Sequence, residues 1–348
     1  MNPYVLAIML SSLGLGTTMT FASSHWLLAW MGLEINTLAI TPLMIQHHHP
    51  RAVEASMKYF LIQATAAAMI LFAGTTNAWL TGMWDINNMS NPFASTVLII
   101  ALALKIGLAP MHFWLPEVLQ GLDLTTGLIL STWQKLAPFA LMIQSAHAVN
   151  PYILIALGVT STLVGGWGGL NQTQLRKILA YSSIAHMGWM ITIIQFESRL
   201  TLIALGTYII MTSAAFLTLK TLDTTNIGTL ASAWSKCPPL TATAALVLLS
   251  LGGLPPLTGF IPKWMILQEL TKQDLPIIAT TMALAALISL YFYLRLCYTM
   301  TLTISPNTTY TVTPWRVQTT QNSMMLAMFT MPALGLLPMT PAILMLTT

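Results

Sequence analysis

The sequence contains very little charge. Of its 348 residues, 13 are Lys or Arg and 9 are Asp or Glu, which makes 6% of the chain charged. Ordinary soluble domains carry about 25% charged residues, and they need that charge to stay dispersed in water. Disordered chains are rich in charge and poor in apolar residues, whereas 55% of this chain is apolar. These absences exclude a soluble domain and a disordered chain, and they predict an integral membrane protein.

The residue patterns that build metal, haem and nucleotide sites are equally scarce. Cys237 and Cys297 lie in no CxxC or Cys/His cluster, so neither a disulfide framework nor a zinc site is expected. No apolar span carries the two histidines of a bis-histidine haem, and His residues 47–49 need further ligands to hold one metal ion. The Gly-Gly-Trp-Gly-Gly run at 165–169 follows no strand, so we interpret it as close helix packing. We therefore expect no cofactor and no metal in this chain. The net charge of +4 comes from a few loop residues, so no nucleic-acid partner is expected, and no cleavable signal is recognisable.

Apolar stretches of membrane-spanning length recur along the chain. A span needs about 20 mainly apolar residues. Eleven stretches meet this requirement: roughly 3–22, 26–45, 58–80, 93–115, 124–146, 151–170, 178–196, 200–219, 239–268, 276–298 and 323–345. The ninth contains Pro255-Pro256 and is too long for one straight crossing, so we expect it to be broken there. The sequence predicts an all-α, polytopic membrane protein of about 11 transmembrane helices, forming a single membrane domain over 1–348.

The basic residues are distributed unequally between the two sides that these spans define. Eight lie on the side of the N-terminus: Arg51, Lys58, Arg176, Lys177, Lys220, Lys236, Arg295 and Arg316. Only Arg199 and Lys272 lie on the opposite side. Because basic loops stay on the inner side of a membrane, the N-terminus is predicted to lie inside and the C-terminus outside.

A short pattern occurs twice, in the fourth and ninth spans. Residues 107–116 and 253–262 both read G-L-x-P-x5-P, at an offset of 146 residues. Five spans, an odd number, separate the two copies, so they must cross the membrane in opposite directions. Inverted repeats with broken helices mark transport sites in many transporters. We therefore predict two inverted five-helix repeats, 1–146 and 151–298, each with a proline-broken helix, followed by a loop and helix over 299–348. Chance matching of Gly and Pro, which are common in membrane helices, is the alternative.

Four ionisable residues fall inside the predicted spans, where charge costs about 2.5–3.5 kcal/mol each. They are Glu34, Lys105, Lys135 and Lys263, and His186 joins them in the seventh span. Counting helix rise places the first three and His186 within about 5 Å of one depth. Such a row can pass protons if water links its members. A lysine balanced between desolvation and a nearby carboxylate can switch its protonation state.

Two simpler interpretations of these residues stay open. Glu34 and Lys105 could form a static ion pair that holds helices together, although this leaves Lys135 and Lys263 unexplained. His112, beside Pro110, could be a residue at which protons enter or an interfacial packing residue.

Several of these segments resemble the antiporter-like subunits of respiratory complex I. Residues 30–36 (Trp-Met-Gly-Leu-Glu-Ile-Asn) resemble the glutamate-bearing helix of that family, and 105–117 together with 133–135 resemble its first broken helix and following lysine. Residues 254–263 resemble its second broken helix. The resemblance covers essentially the whole chain, and the 23 methionines are similar to animal proteins encoded in mitochondria.

The resemblance implies a role in proton translocation across the mitochondrial inner membrane, driven by electron transfer from NADH to ubiquinone elsewhere in the complex. Glu34 and Lys105 would be the charge pair that opens and closes, Lys135 the middle relay with His186 near it, and Lys263 the exit-side lysine. It also implies that this chain holds no cofactor, and that NADH, FMN, iron–sulfur clusters and ubiquinone belong to other subunits. The implied partners are the other membrane-arm subunits and phospholipid, with the N-terminus in the matrix and the C-terminus in the intermembrane space.

Two other functions compete with this one. A free-standing cation/proton antiporter should carry cation-binding carboxylates within its spans, and Glu34 is the one such residue in the predicted spans. A structural spacer between pumping subunits would use its charges for packing alone.

Overall fold

The computed structural model describes residues 2–46, 48–235, 237–302 and 323–347. His47, Lys236 and Arg316, which entered the metal and orientation arguments, lie outside the described residues. Within these ranges the chain is all-α, as predicted. The helices are α1 (Pro3–Ala22), α2 (Trp26–Met44), α3 (Pro50–Thr81), α4 (Pro92–Ile106), α5 (Trp114–Gly121), α6 (Leu124–Ser145), α7 (Pro151–Gly169), α8 (Leu175–Ile193), α9 (Ser198–Thr221), α10 (Ile227–Ala231), α11 (Pro238–Gly252), α12 (Phe260–Lys272), α13 (Pro276–Thr301), α14 (Met324–Gly335) and α15 (Thr340–Thr347).

Six of the described helices are long and apolar enough to cross a membrane: α1, α2, α3, α7, α9 and α13. Helix α3 begins at Pro50, about two turns before residue 58, where the third span is predicted to start. The helix begins there because proline suits the first helical position and the His49 ring accepts a hydrogen bond from Arg51 N at 3.2 Å. This cap satisfies one of the donors left free at a helix start. Lys58 therefore lies inside α3 and not in a loop.

The predicted last span, 323–345, is not one helix. Helix α14 ends at Gly335, a 3₁₀ turn covers Leu337–Met339, and α15 follows. Pro338 lies in that turn. Proline removes a backbone donor and so interrupts an α-helix, and the sequence analysis did not use this residue.

Both predicted helix breaks are present, and they have the same local form. Helices α4 and α11 end at Ile106 and Gly252. Each is followed by a capping glycine in the left-handed region, Gly107 with a φ of +86° and Gly253 with a φ of +80°. Left-handed backbone of this kind carries little penalty only for glycine. Seven residues, 107–113 and 253–259, separate these helices from the next ones, α5 and α12. The G-L-x-P pattern thus corresponds to a left-handed glycine that ends one helix and a proline-containing turn that precedes the next.

The chain divides into two compact units, Met1–Ser161 and Thr162–Thr348. In the first unit α1 and α2 approach closely at Gly32. A Cβ added there would lie 2.6 Å from Thr20 Cγ2 and 2.8 Å from the Gly16 carbonyl oxygen. Small residues at such a crossing allow two apolar helices to pack by van der Waals contact.

The glycine run at the end of α7 packs against two helices of the second unit. A Cβ on Gly165 would lie 2.6 Å from Ala185 N of α8, and one on Gly166 would lie 3.3 Å from the Ala285 carbonyl oxygen of α13. Trp167, between the glycine pairs, is 75% exposed. The interpretation of this run as a close-packing surface is confirmed.

Candidate proton-relay site

A small buried cavity in the first unit is bounded by two of the predicted relay lysines. Its volume is about 20 Å³, which is room for about one water molecule. The lining includes Lys105 and Lys135 from α4 and α6. The other polar lining side chains are Asn36, Thr37, Tyr59, Gln63 and Gln134. Packing therefore brings two lysine side chains and several hydrogen-bonding groups to one small cavity.

Lys105 is placed by the end of α4, where it is the second-last helical residue. It is buried, and among the described residues its Nζ has no hydrogen-bond or ion-pair partner. The static ion pair with Glu34 is therefore not present in the part of the chain that the structure describes.

Glu34 lies half-buried on α2, one turn before Thr37. The Thr37 hydroxyl donates to Glu34 Oε2 at 3.1 Å, and Thr37 also lines the cavity. The side-chain amide of Gln134 connects α6 to α2, because its Nε2 donates to the Asn36 carbonyl oxygen at 3.4 Å. Glu34 is thus connected to the cavity wall through a hydroxyl and does not itself line the space.

The carbonyl groups at the end of α4 are held by side chains from other helices. Trp114 Nε1 of α5 donates to the Leu104 oxygen at 3.1 Å, and Gln63 Nε2 of α3 donates to the Lys105 oxygen at 3.3 Å. The last carbonyls of a helix have no donor within it, and a buried carbonyl without a donor is costly. These two bonds therefore fix the position of the break next to the cavity.

Lys135 occupies the interior of α6 and is 3% exposed. Its α6 neighbours Gln134 and Pro138 line the same cavity. His112 lies between α4 and α5, buried, with its ring centroid 4.3 Å from that of Phe113. Its role in proton entry or in packing stays a prediction.

In the second unit, Lys263 lies in the first turns of α12 and is buried. Its Nζ donates to the Gly252 carbonyl oxygen, the last residue of α11, at 2.8 Å. The lysine thus satisfies a helix-end carbonyl across the break, as Gln63 does in the first unit. A Cβ on Gly253 would lie 2.9 Å from that Nζ, so the glycine leaves room for the side chain.

His186 is buried on α8, and its ring lies 5.7 Å from the Tyr208 ring of α9. The described residues contain no group of three or more His, Cys, Asp or Glu side chains that could hold a metal ion.

Sequence reasoning missed the amides that surround the lysines. Gln63 and Gln134 carry a signal that was available, since a polar amide inside an apolar span usually bonds to a neighbouring helix. An ion pair at the start of α3 was also missed: Lys58 Nζ lies 2.8 Å from both Glu54 Oε1 and Glu117 Oε2. Glu117 belongs to α5, so no local pattern in the sequence predicts this contact.

Comparison with known proteins shows which family this chain resembles. The model of the family described as NADH:quinone oxidoreductase/Mrp antiporter matches residues 23–289, and a model described as NADH dehydrogenase subunit 2 C-terminus matches residues 290–344. Proteins named NADH-ubiquinone oxidoreductase chain 2 are 82% identical in Carassius auratus and 73% identical in Danio rerio, each over the full length of both chains.

Solved structures agree with these relatives. A chain of respiratory complex I from Thermus thermophilus matches with a TM-score of 0.81 and 28% identity, covering 96% of this chain and 80% of that one. A chain of the Mrp complex from a Dietzia species shares the fold, with a TM-score of 0.82 at 15% identity over 96% of this chain and 75% of that one. The chain therefore belongs to the NADH:quinone oxidoreductase/Mrp antiporter family of membrane proteins.

Proposed function

We propose that this chain translocates protons as a membrane-arm subunit of respiratory complex I. Its relatives carry the name NADH-ubiquinone oxidoreductase chain 2, and a Thermus thermophilus complex I chain shares its fold at 28% identity. In this assignment the chain has no redox centre of its own. The energy comes from electron transfer between NADH and ubiquinone in other subunits, which hold FMN and the iron–sulfur clusters.

The observation that carries the proposal is the shared cavity of Lys105 and Lys135. Buried lysines are rare, and in a membrane protein they mark ion or proton pathways. A cavity of about 20 Å³ can hold the one water molecule that a proton needs to pass between two amines. Tyr59, Gln63 and Gln134 supply hydrogen-bonding groups that would orient such a water.

Glu34 is the controlling carboxylate in this scheme. When Glu34 approaches Lys105, its charge favours the ammonium form, and when it withdraws, burial favours release of the proton. Thr37, which donates to Glu34 and lines the cavity, is placed to sense that movement. Lys135 accepts the proton through the cavity. Lys263 and His186 perform the onward transfer in the second unit.

The orientation and the internal repeat complete the proposal. Two breaks with the same left-handed glycine, at Gly107 and Gly253, support two inverted five-helix repeats. The excess of basic loops on the N-terminal side supports a matrix N-terminus and an intermembrane-space C-terminus. The chain then lies in the mitochondrial inner membrane with about 11 crossings, among other membrane-arm subunits and phospholipid.

The test is proton-to-electron stoichiometry in the assembled complex. Lys105→Met and Lys135→Met keep the volume of the side chain and remove the proton carrier. Each should lower the number of protons moved per electron pair while the complex stays assembled. Lys220→Met, at an exposed lysine near the end of α9, is the control and should change nothing.

Normal stoichiometry in both assembled variants would contradict proton transfer through the cavity and would favour a structural spacer. Cation/proton exchange by the purified chain alone, in vesicles without the complex, would instead identify a free-standing antiporter.

A further inference from the structure

A surface groove beside the end of α7 contains none of the proposed proton carriers. Its volume is about 740 Å³, within the range of small-molecule sites. Its walls include Trp167, Leu170 and Asn171 at the end of α7, and Ile288, Tyr291 and Arg295 of α13. The groove lies wholly within the second unit. Its lining combines a cation, a polar amide, two aromatic rings and aliphatic side chains.

The Arg295 side chain is held in this groove by a hydrogen bond, and no acidic side chain pairs with it there. Its Nη1 donates to the Leu170 carbonyl oxygen at 2.7 Å, just beyond the end of α7. A guanidinium group has five N–H donors in a planar fork, so several remain for another acceptor. The structure describes all nine Asp and Glu residues of the chain, and none of them forms an ion pair with Arg295. The groove therefore offers a positioned positive charge that has no acidic partner among the described residues.

The neighbouring side chains match the boundary between lipid headgroups and hydrocarbon. Trp167 is 75% exposed and Tyr291 is 60% exposed, and exposed Trp and Tyr are enriched at that boundary. Arg295 lies six residues before the end of α13, about 9 Å along the helix axis, so its side chain lies within reach of a headgroup at that helix end. From Tyr291 toward its N-terminus, α13 exposes Leu287 and Leu284. From the groove toward its N-terminus, the exposed surface of α13 thus changes from cationic Arg295 to aromatic Tyr291 and then to aliphatic leucines.

We propose that this groove binds an anionic phospholipid. The phosphate accepts hydrogen bonds from the free N–H groups of Arg295 and from the Asn171 amide, because arginine matches phosphate oxygens bidentately. Trp167 and Tyr291 pack against the glycerol region, and one acyl chain follows Leu287 and Leu284 along α13. Basic pockets between membrane helices are known to hold anionic headgroups. The exposed leucines of α13 beside the groove favour a lipid over a free phosphate ion.

The test measures lipid retained by the purified full chain in phosphatidylcholine nanodiscs that contain a minor fraction of phosphatidylglycerol. Native mass spectrometry of the released protein should detect bound phosphatidylglycerol in excess of its share of the bilayer. Arg295→Gln should reduce that retention about tenfold, as expected for the loss of a charge-assisted hydrogen bond. Asn171→Asp, which keeps the side-chain size and adds a negative charge, should reduce it as well.

The matched control is Arg51→Gln, at an exposed arginine at the start of α3 that does not line the groove; it should retain lipid like the unaltered chain. Retention that follows the bilayer composition, or that is unchanged in both groove variants, would overturn the proposal. Displacement of the lipid by inorganic phosphate at a similar concentration would also overturn it. So would a photocrosslinker at position 167 that labels a neighbouring protein and no lipid in the assembled complex.

Discussion

The amide of Gln63 is predicted to hold the first helix break in place. Gln63 is 3% exposed, and its Nε2 donates to the Lys105 carbonyl oxygen at 3.3 Å. Gln63→Leu removes this donor and leaves a buried carbonyl unpaired, which costs about 1–3 kcal/mol. A penalty of that size shifts the equilibrium between a break held in this position and one that has moved away from α3 by about 5–150-fold. Because Lys105 lies at the break, its proton transfer should be impaired together with stability.

The assay pairs thermal unfolding of the purified chain with proton-to-electron stoichiometry in the assembled complex. Both values should fall in Gln63→Leu. Gln63→Glu has the same shape but lacks the donor when ionised, so it should lower both values too. Gln144→Leu, at a half-buried glutamine of α6 that does not line the cavity, should lower neither by a comparable amount. If Gln63→Leu and Gln63→Glu both retain the original stability and stoichiometry, the break is not held by this hydrogen bond.

Two further predictions use pairs of glycines and the melting temperature of the purified chain. Gly253→Ala should lower the melting temperature more than Gly82→Ala does. Both positions have a positive φ, which costs alanine about 1–2 kcal/mol, but only at Gly253 does the new Cβ meet a neighbour, the Lys263 amine. Equal decreases in melting temperature would contradict the steric part of this account. Gly165→Ala should destabilise the folded chain by about 1–3 kcal/mol, because its Cβ would meet the backbone of α8. Gly206→Ala should instead stabilise α9 by about 0.8–1.0 kcal/mol, because a Cβ there has no atom within 4 Å. An unchanged melting temperature in Gly165→Ala would show that α7 and α8 can move apart without loss of stability.

The sequence predicted those features of the fold that depend on local chemistry. Apolar runs located the helices, and the G-L-x-P pattern located both breaks, because a left-handed glycine and a proline act within a few residues. The errors arose where helix-starting and helix-breaking residues were not weighed against the apolar runs. His49 and Pro50 start α3 two turns early, and Pro338 lies in the turn that separates α14 from α15.

The sequence singled out the two lysines that line the cavity, but not the contacts around them. Lys105 and Lys135 stood out because charge within a span is costly. Their common cavity depends on how α2, α3, α4 and α6 pack, and no pattern within one helix determines that. Gln63 and Gln134 could have been marked as polar residues in apolar helices, but the carbonyl that each one holds is visible only in the folded chain.

The bond from Lys263 to Gly252 has a consequence for a protein that changes the charge of its lysines. An ammonium group and a neutral amine both carry N–H bonds, so the side chain can donate to the Gly252 oxygen before and after it releases a proton. Under the proposed relay, the carbonyl at the end of α11 therefore keeps its donor throughout the transport cycle, and the second break need not reorganise when Lys263 changes charge. The first break achieves the same independence by a different means, since its donor, the Gln63 amide, does not titrate.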